Sequence, residues 1–273
     1  MKRVALISDI HGNAVALEAV LADIGRQHVD EIVCLGDVAA GGPQPREALE
    51  RLRTLRCAVV RGNADDWLLG EMPAEEDEDG HRLRAIVEWA RGQLRDADVA
   101  YLESFLPTIE LDLAESRRML CFHGSPQANS DRLLATTPEE ELVRLFAGAT
   151  ADVLAGGHTH LQFERRLGGS PLVNPGSVGL PLHADSDARS LPARTPRLPR
   201  FAEYALVEAD EAIGVELRRV PIDVAALERV GLRSSMPYPD WWAAGLARRI
   251  ARRNALAAPD RTDVKDADLL ASS

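Results

Sequence analysis

The stretch Val4-Ala5-Leu6-Ile7-Ser8-Asp9-Ile10-His11-Gly12-Asn13 decides the fold. Four apolar residues in an unbroken run, with no polar alternation, read as a strand buried on both faces. A polar cluster follows directly. Ala14–Ile24 then sets Val15, Leu17, Val20, Leu21 and Ile24 at helical spacing. The pattern repeats with a strand at Ile32–Leu35, a helix at Arg46–Leu55 and a strand at Ala58–Val60. Strand-helix-strand-helix-strand implies a parallel sheet with helices on its faces. Such sheets bind ligands beyond the carboxyl ends of their strands, and here each strand ends in a chemically capable cluster.

Beyond this unit the texture changes. Glu71–Asp79 is acidic and poor in apolar residues, which predicts a loop. Helices are expected at Leu83–Leu94 and Ala97–Phe105. Strands are expected at Thr108–Leu113, Met119–Phe122, Val153–Ala155, Gln162–Arg166, Pro171–Val173, Ala202–Val207 and Gly214–Val220, with one helix, Pro138–Ala147, among them. Gly168-Gly169 suits a hairpin turn. His183–Arg200 holds three prolines and four arginines and reads as a long irregular loop. The expected organisation is two packed sheets with helices outside, in one domain over residues 1–221. A helical extension at 222–256 includes an amphipathic helix Pro239–Arg253, and 257–273 is a polar tail.

Composition narrows the function. The chain has 273 residues, 45% hydrophobic, enough for one large α/β domain. A net charge of -11 repels nucleic acid and anionic membrane at a distance, so neither is expected as a partner. It does not exclude a phosphate substrate, because bound metal ions reverse the local field. Cys34, Cys57 and Cys121 all sit in apolar runs and read as core residues of a protein from a reducing compartment. The amino-terminal apolar run is too short for a signal peptide, and no run approaches the roughly 20 residues of a membrane helix. A soluble, cytoplasmic protein is expected. Self-association is left open.

Five clusters could carry chemistry: Ser8–Asn13, Gly36-Asp37, Gly62-Asn63-Ala64-Asp65, His123-Gly124-Ser125 and Gly156-Gly157-His158-Thr159-His160. Any one alone is more often a turn than a ligand site. Together they hold four of the chain's seven histidines, which outweighs that reading. Asp9 and His11 are two apart, as are His158 and His160; in an extended segment both members of a pair project to the same side. Oxygen and imidazole donors without thiolate suit a hard or borderline divalent ion. Other schemes fit less well. No GxxxxGK[ST] loop occurs. Gly176-Ser177-Val178-Gly179 lacks the first glycine of a nucleophile elbow. His28 and His81 lie in polar surroundings and read as solvent-facing.

The order Asp-x-His, Gly-Asp, Gly-Asn-x-Asp, His and Gly-His-x-His resembles the calcineurin-like metallophosphoesterase superfamily. The segments FHGSP, GGHTH and NPGSVG are similar to its small bacterial and archaeal phosphodiesterase branch, and the likeness runs from Met1 to about Pro221. The resemblance implies a four-layer α/β/β/α sandwich with a dinuclear metal site at the strand ends. By that likeness Asp9, His11, Asp37 and His160 hold one ion, and Asp37, Asn63, His123 and His158 hold the other. Manganese is the first candidate, with iron, zinc or nickel as alternatives. The implied chemistry is in-line attack of a metal-bridging hydroxide on a small phosphate ester, with Asp37, Asn63 and His123 as catalytic residues. Diester hydrolysis is placed ahead of monoesters, phosphoproteins and dinucleoside polyphosphates. A scaffold that kept the fold and lost activity is the reading from another class, and the intact ligand set argues against it.

Two departures qualify the likeness. Many members carry His after the Asn, where it touches the phosphate and can protonate the leaving group; here the residue is Ala64. Asp65 is a weak replacement acid. The second departure is the arginine-rich 183–200 loop. From it Arg189 and Arg194, with Arg197 and Arg200, are expected to bind substrate alongside Asn63.

Overall fold

The computed structural model describes residues 1–70, 72–74, 77–182 and 199–243. The opening run forms β1 (Lys2–Ile7), whose carboxyl end delivers Asp9 and His11. Asn13 then starts α1 (Ala14–Ile24) by accepting the Ala16 N–H at 3.0 Å. β2 (Glu31–Cys34), α2 (Pro45–Leu55) and β3 (Ala58–Val59) complete the parallel unit. In it, β1 pairs with β2 and β2 with β3 in parallel register. Three helices follow: α3 (Asn63–Leu69), α4 (Glu78–Gln93) and α5 (Asp96–Glu103). β9 (Phe201–Ala209) and β10 (Ile213–Pro221) return to this sheet antiparallel, giving the order β10-β9-β1-β2-β3.

The second sheet runs β4-β5-β6-β8-β7. Its strands are β4 (Ile109–Asp112), β5 (Arg118–Cys121), β6 (Val153–Ala155), β7 (Phe163–Leu167) and β8 (Ser170–Asn174). A two-residue turn joins β7 to β8. Its glycines stand at φ 55° and 95°, as a tight hairpin needs. α6 (Glu139–Phe146) packs outside this sheet, and α7 (Val224–Arg233) buries Leu227 in the core shared with α1.

Three apolar clusters make the layering explicit. Strand alternation sends Ala5 and Ile7 to the helix side with Leu17, Leu49 and Ile86, and Val4 and Leu6 to the opposite side. There Val4 and Leu6 meet Met119, Cys121, Val153 and Val173 of the second sheet. Leu120, Phe122 and Leu154 face outward onto Leu142 and Phe146 of α6. The result is the four-layer α/β/β/α sandwich.

The elements differ from expectation in three places. α3 was not among the expected helices; it forms because Asp65 and Asp66 favour its first turn and Leu68 is buried. α4 begins at Glu78, inside the acidic segment, because the Asp77 side chain caps the Gly80 N–H at 2.6 Å. β9 and β10 extend beyond the expected runs, since cross-strand pairing continues through Glu208 and Pro221. Most of the 183–200 loop, with Arg189, Arg194 and Arg197, lies outside the described residues, as do Glu71, Glu75 and Glu76. So do the part of the expected 239–253 helix beyond residue 243 and the expected 257–273 tail.

Candidate metal centre

The polar clusters converge at the carboxyl ends of β1, β2, β3, β5 and β6. Two groups of donors form there, each with its ligand atoms within 4.8 Å of one another: Asp9 with His11 and His160, and Asp37 with His123 and His158. Asn63 joins the second group, its Oδ1 lying 3.1 Å from His123 Nε2. Asp37 stands between the groups, with Oδ2 3.7 Å from His11 Nε2 and 3.4 Å from His123 Nε2.

The way the chain reaches this arrangement differs from the expected extended alternation. Asp9, His11, Asp37, His158 and His160 all occupy left-handed backbone, at φ 54°, 48°, 55°, 68° and 58°. Each strand therefore turns sharply at its end. His158 and His160, which alternation would send to one region, are divided between the two groups. Close approach at glycine makes the turns fit. A Cβ on Gly62 would stand 2.1 Å from Asp37 Oδ1, and one on Gly157 would stand 2.1 Å from Ser8 Oγ.

Hydrogen bonds fix the imidazoles. Nδ1 of His11, His123 and His160 lies 2.7, 2.6 and 2.8 Å from the carbonyl oxygens of Ala40, Leu35 and Leu180. A carbonyl only accepts, so each Nδ1 carries a proton, and Nε2 is the ring atom that faces inward, its lone pair open to a cation when the ring is neutral. His11 and His160 bring their Nε2 atoms to 3.0 Å. Asp9 Oδ1 is buried, accepts no hydrogen bond, and lies 3.1 Å from His160 Nε2. Lone pairs converging on a buried, unsatisfied carboxylate oxygen are the preparation a divalent cation requires.

Electrostatics agree. Burial works against charge on every group here. Even so, His160 and His11 hold the Asp9 carboxyl well below its usual range, and His123 and His11 lower that of Asp37. Burial alone would lower the His123 pKa, but Asp37 and Asp9 push it up to about 10. His158, buried and next to His123, falls to about 3 and so stays neutral. The two carboxylates draw positive charge inward.

Several supporting residues had been missed. Ser177, considered as a nucleophile, donates its Oγ hydrogen to Asp9 O at 2.7 Å and accepts the Leu180 N–H. Asn174 Nδ2 donates to Gly157 O at 2.7 Å. The sequence signal for both was the NPGSVG segment. Asp65 is not placed as a replacement acid: its carboxylate is buried and turned onto backbone N–H groups. Ala64 is buried in the helix-side core. Arg200 is exposed, and its carbonyl accepts the Ile222 N–H.

The family model of the calcineurin-like phosphoesterase superfamily domain matches residues 1–191. The chain belongs to that superfamily. It is thereby a hydrolase of phosphoester bonds, and the family is metal-dependent. An uncharacterized protein of Methanocaldococcus jannaschii is 31% identical over 199 residues, covering 65% of this chain and 76% of its own. The phosphodiesterase YfcE of Escherichia coli is 28% identical over 191 residues, covering 66% and 82%. Among solved structures, a metallophosphoesterase from Sphaerobacter thermophilus shares 28% identity at a TM-score of 0.67, covering 92% of this chain and 98% of its own. Among the described residues, no helix is long and apolar enough to cross a membrane.

Proposed function

We propose that this phosphoesterase is a phosphodiesterase for a small phosphate ester, working with two divalent ions. Asp9, His11 and His160 would hold one ion and Asn63, His123 and His158 the other, with Asp37 shared. The observation that carries this reading is the position of Asp37 Oδ2 within 3.7 Å of both donor groups. Its other oxygen is taken by the Ala64 N–H at 2.7 Å, so one oxygen is left to serve both groups. Oxygen and imidazole donors suit manganese, iron, zinc or nickel, and manganese is the first to test.

Bound ions would supply Lewis acidity and charge neutralisation at the phosphoryl centre. The chain's own part is orientation. His123 is locked on Leu35 O and aligns with Asn63 Oδ1, which leaves the Asn63 amide N–H groups to donate to a substrate oxygen. Asp9 Oδ2 is held by the Ser8 hydroxyl and the His158 N–H, so Oδ1 points into the site. Free, mostly buried thiols support a reducing, cytoplasmic setting. The name of the YfcE relative supports a diester over a monoester. The test is hydrolysis of bis-p-nitrophenyl phosphate and p-nitrophenyl phosphate by chelator-treated protein resupplied with Mn2+, Fe2+, Zn2+ or Ni2+. Metal-dependent turnover led by the diester is expected. A preference for the monoester would overturn the diesterase reading.

A further inference from the structure

Asp65 stands on the first turn of α3, two residues beyond Asn63, and is fully buried. Its carboxylate accepts three backbone N–H groups, each at 2.9 Å: Asp37 and Gly62 on Oδ2, Val38 on Oδ1. Helix capping explains only the bond to Gly62, the N-cap of α3. The bonds to Asp37 and Val38 reach back 28 and 27 residues into the loop after β2, and a cap has no need of them. The relation is reciprocal, because Asp37 Oδ1 accepts the Ala64 N–H at 2.7 Å on the same helical turn. Two carboxylates thus exchange places: each holds the backbone that carries the other.

We propose that Asp65 is a positioning residue that clamps the left-handed backbone of Asp37 and so selects which Asp37 oxygen faces both donor groups. Asp37 at φ 55° lies where a side chain strains the backbone, and such a turn persists only when its surroundings hold it. The N–H groups on both sides of that strained Cα, those of Asp37 and Val38, are the two that Asp65 binds. With Oδ1 of Asp37 committed to α3, only Oδ2 can turn toward His11 and His123. The proposal rests on the reading of Asp37 as a shared metal ligand.

The test is calorimetric titration of chelator-treated full-length protein with Mn2+, with thermal unfolding of each metal-free variant. Asp65→Asn keeps the shape but replaces one acceptor oxygen by an NH2 group facing an N–H. We expect Mn2+ affinity to fall roughly 10–100-fold, the usual cost of losing a residue that orients a ligand. A purely structural role would lower the unfolding temperature and leave the Mn2+ affinity of the folded protein unchanged; that result overturns the proposal. If Asp65→Asn does not fold, Asp65→Glu, which keeps the charge and shifts it by one methylene, is judged by the same affinity criterion. Asp37→Asn separates the two readings. If wild type binds Mn2+ and Asp37→Asn loses it while Asp65→Asn binds normally, only the Asp65 proposal fails. If Asp37→Asn binds as wild type does, the shared-ligand reading fails, and this one with it.

Discussion

His11 and His160 approach nitrogen to nitrogen, Nε2 to Nε2 at 3.0 Å, from segments 149 residues apart. With both Nδ1 atoms donating to carbonyls, the rings in their neutral form have no proton to place between them. In that form two lone pairs face each other, and the contact favours folding only when something positive stands beside it. The metal-free protein should therefore be measurably less stable. Saturating Mn2+ at 100 times its dissociation constant should add about 2.7 kcal/mol to unfolding. Thermal unfolding with chelator and with metal checks this, and an unchanged transition would remove the cluster as a metal centre.

Asp37→Ala should lose bound metal and diester hydrolysis together. Asp37→Asn should also lose most of both, because it deletes the charge that faces both donor groups. Metal analysis of the purified variants beside their turnover decides the matter. Full activity in Asp37→Ala with normal metal content would end the dinuclear reading.

Gly157→Ala should damage the site from outside it. Its Cβ would stand 2.1 Å from Ser8 Oγ and 2.8 Å from Asp9 Oδ2, so Asp9 would have to move. A cost of about 1–3 kcal/mol, typical of overpacking, is expected together with weaker metal binding. Gly92→Ala is the contrast. It lies in α4 with nothing within 4 Å of the added carbon, and should gain about 0.4–1 kcal/mol. Equal effects in the two variants would contradict the packing argument.

Ala64 carries no proton to give to a leaving group. General acid help is typically worth about 10²–10⁴-fold, so hydrolysis should depend steeply on leaving-group acidity, fast for aryl diesters and slow for alkyl ones. A series of diesters with graded leaving-group pKa measures the slope. A flat profile with chemistry rate-limiting would mean that an acid is present. Ala64→His is a poor rescue, since Ala64 is only 1% exposed and the imidazole would have to be accommodated in packed surroundings.

Glu203 provides a pH signature away from the site. Burial pushes its carboxyl up to about 7 against the pull of Arg219, whose Nε lies 2.9 Å away. The folded state thus binds this proton more tightly than the unfolded chain, whose glutamate titrates near 4.3. The stabilising contribution is complete below about 4.3 and is lost as pH rises through about 7. Glu203→Gln should remove that slope. Urea unfolding of both proteins from pH 4 to 8 should show wild type losing stability relative to the variant across the window, and parallel curves would refute it.

Much of this was legible in the sequence because the strands are buried on both faces and end abruptly. An unbroken run such as Val4–Ile7 has one reading, and the polar residues after it fall at the end of the sheet where ligands bind. Backbone conformation was not legible. Two-residue spacing suggested extended pairs, whereas Asp9 and His11 are left-handed, a state that side-chain pattern does not encode. Asp65 was equally opaque, because its partners are main-chain N–H groups 27 and 28 residues away, and these carry no residue signature. The start of α4 hung on a single capping carboxylate, Asp77, within a segment whose composition read as loop.

The five left-handed donors set the terms for engineering this protein. At about 1–2 kcal/mol each, they forgo an amount on the order of the 5–15 kcal/mol net stability of an ordinary domain. Replacing them with glycine would relieve the backbone and empty the site. A selection for thermal tolerance alone, run on metal-free protein, should collect its winners at Asp9, His11, Asp37, His158 and His160 and return inactive clones. Screening in the presence of metal should reverse that incentive, because a bound ion adds folding free energy only where its donors are intact.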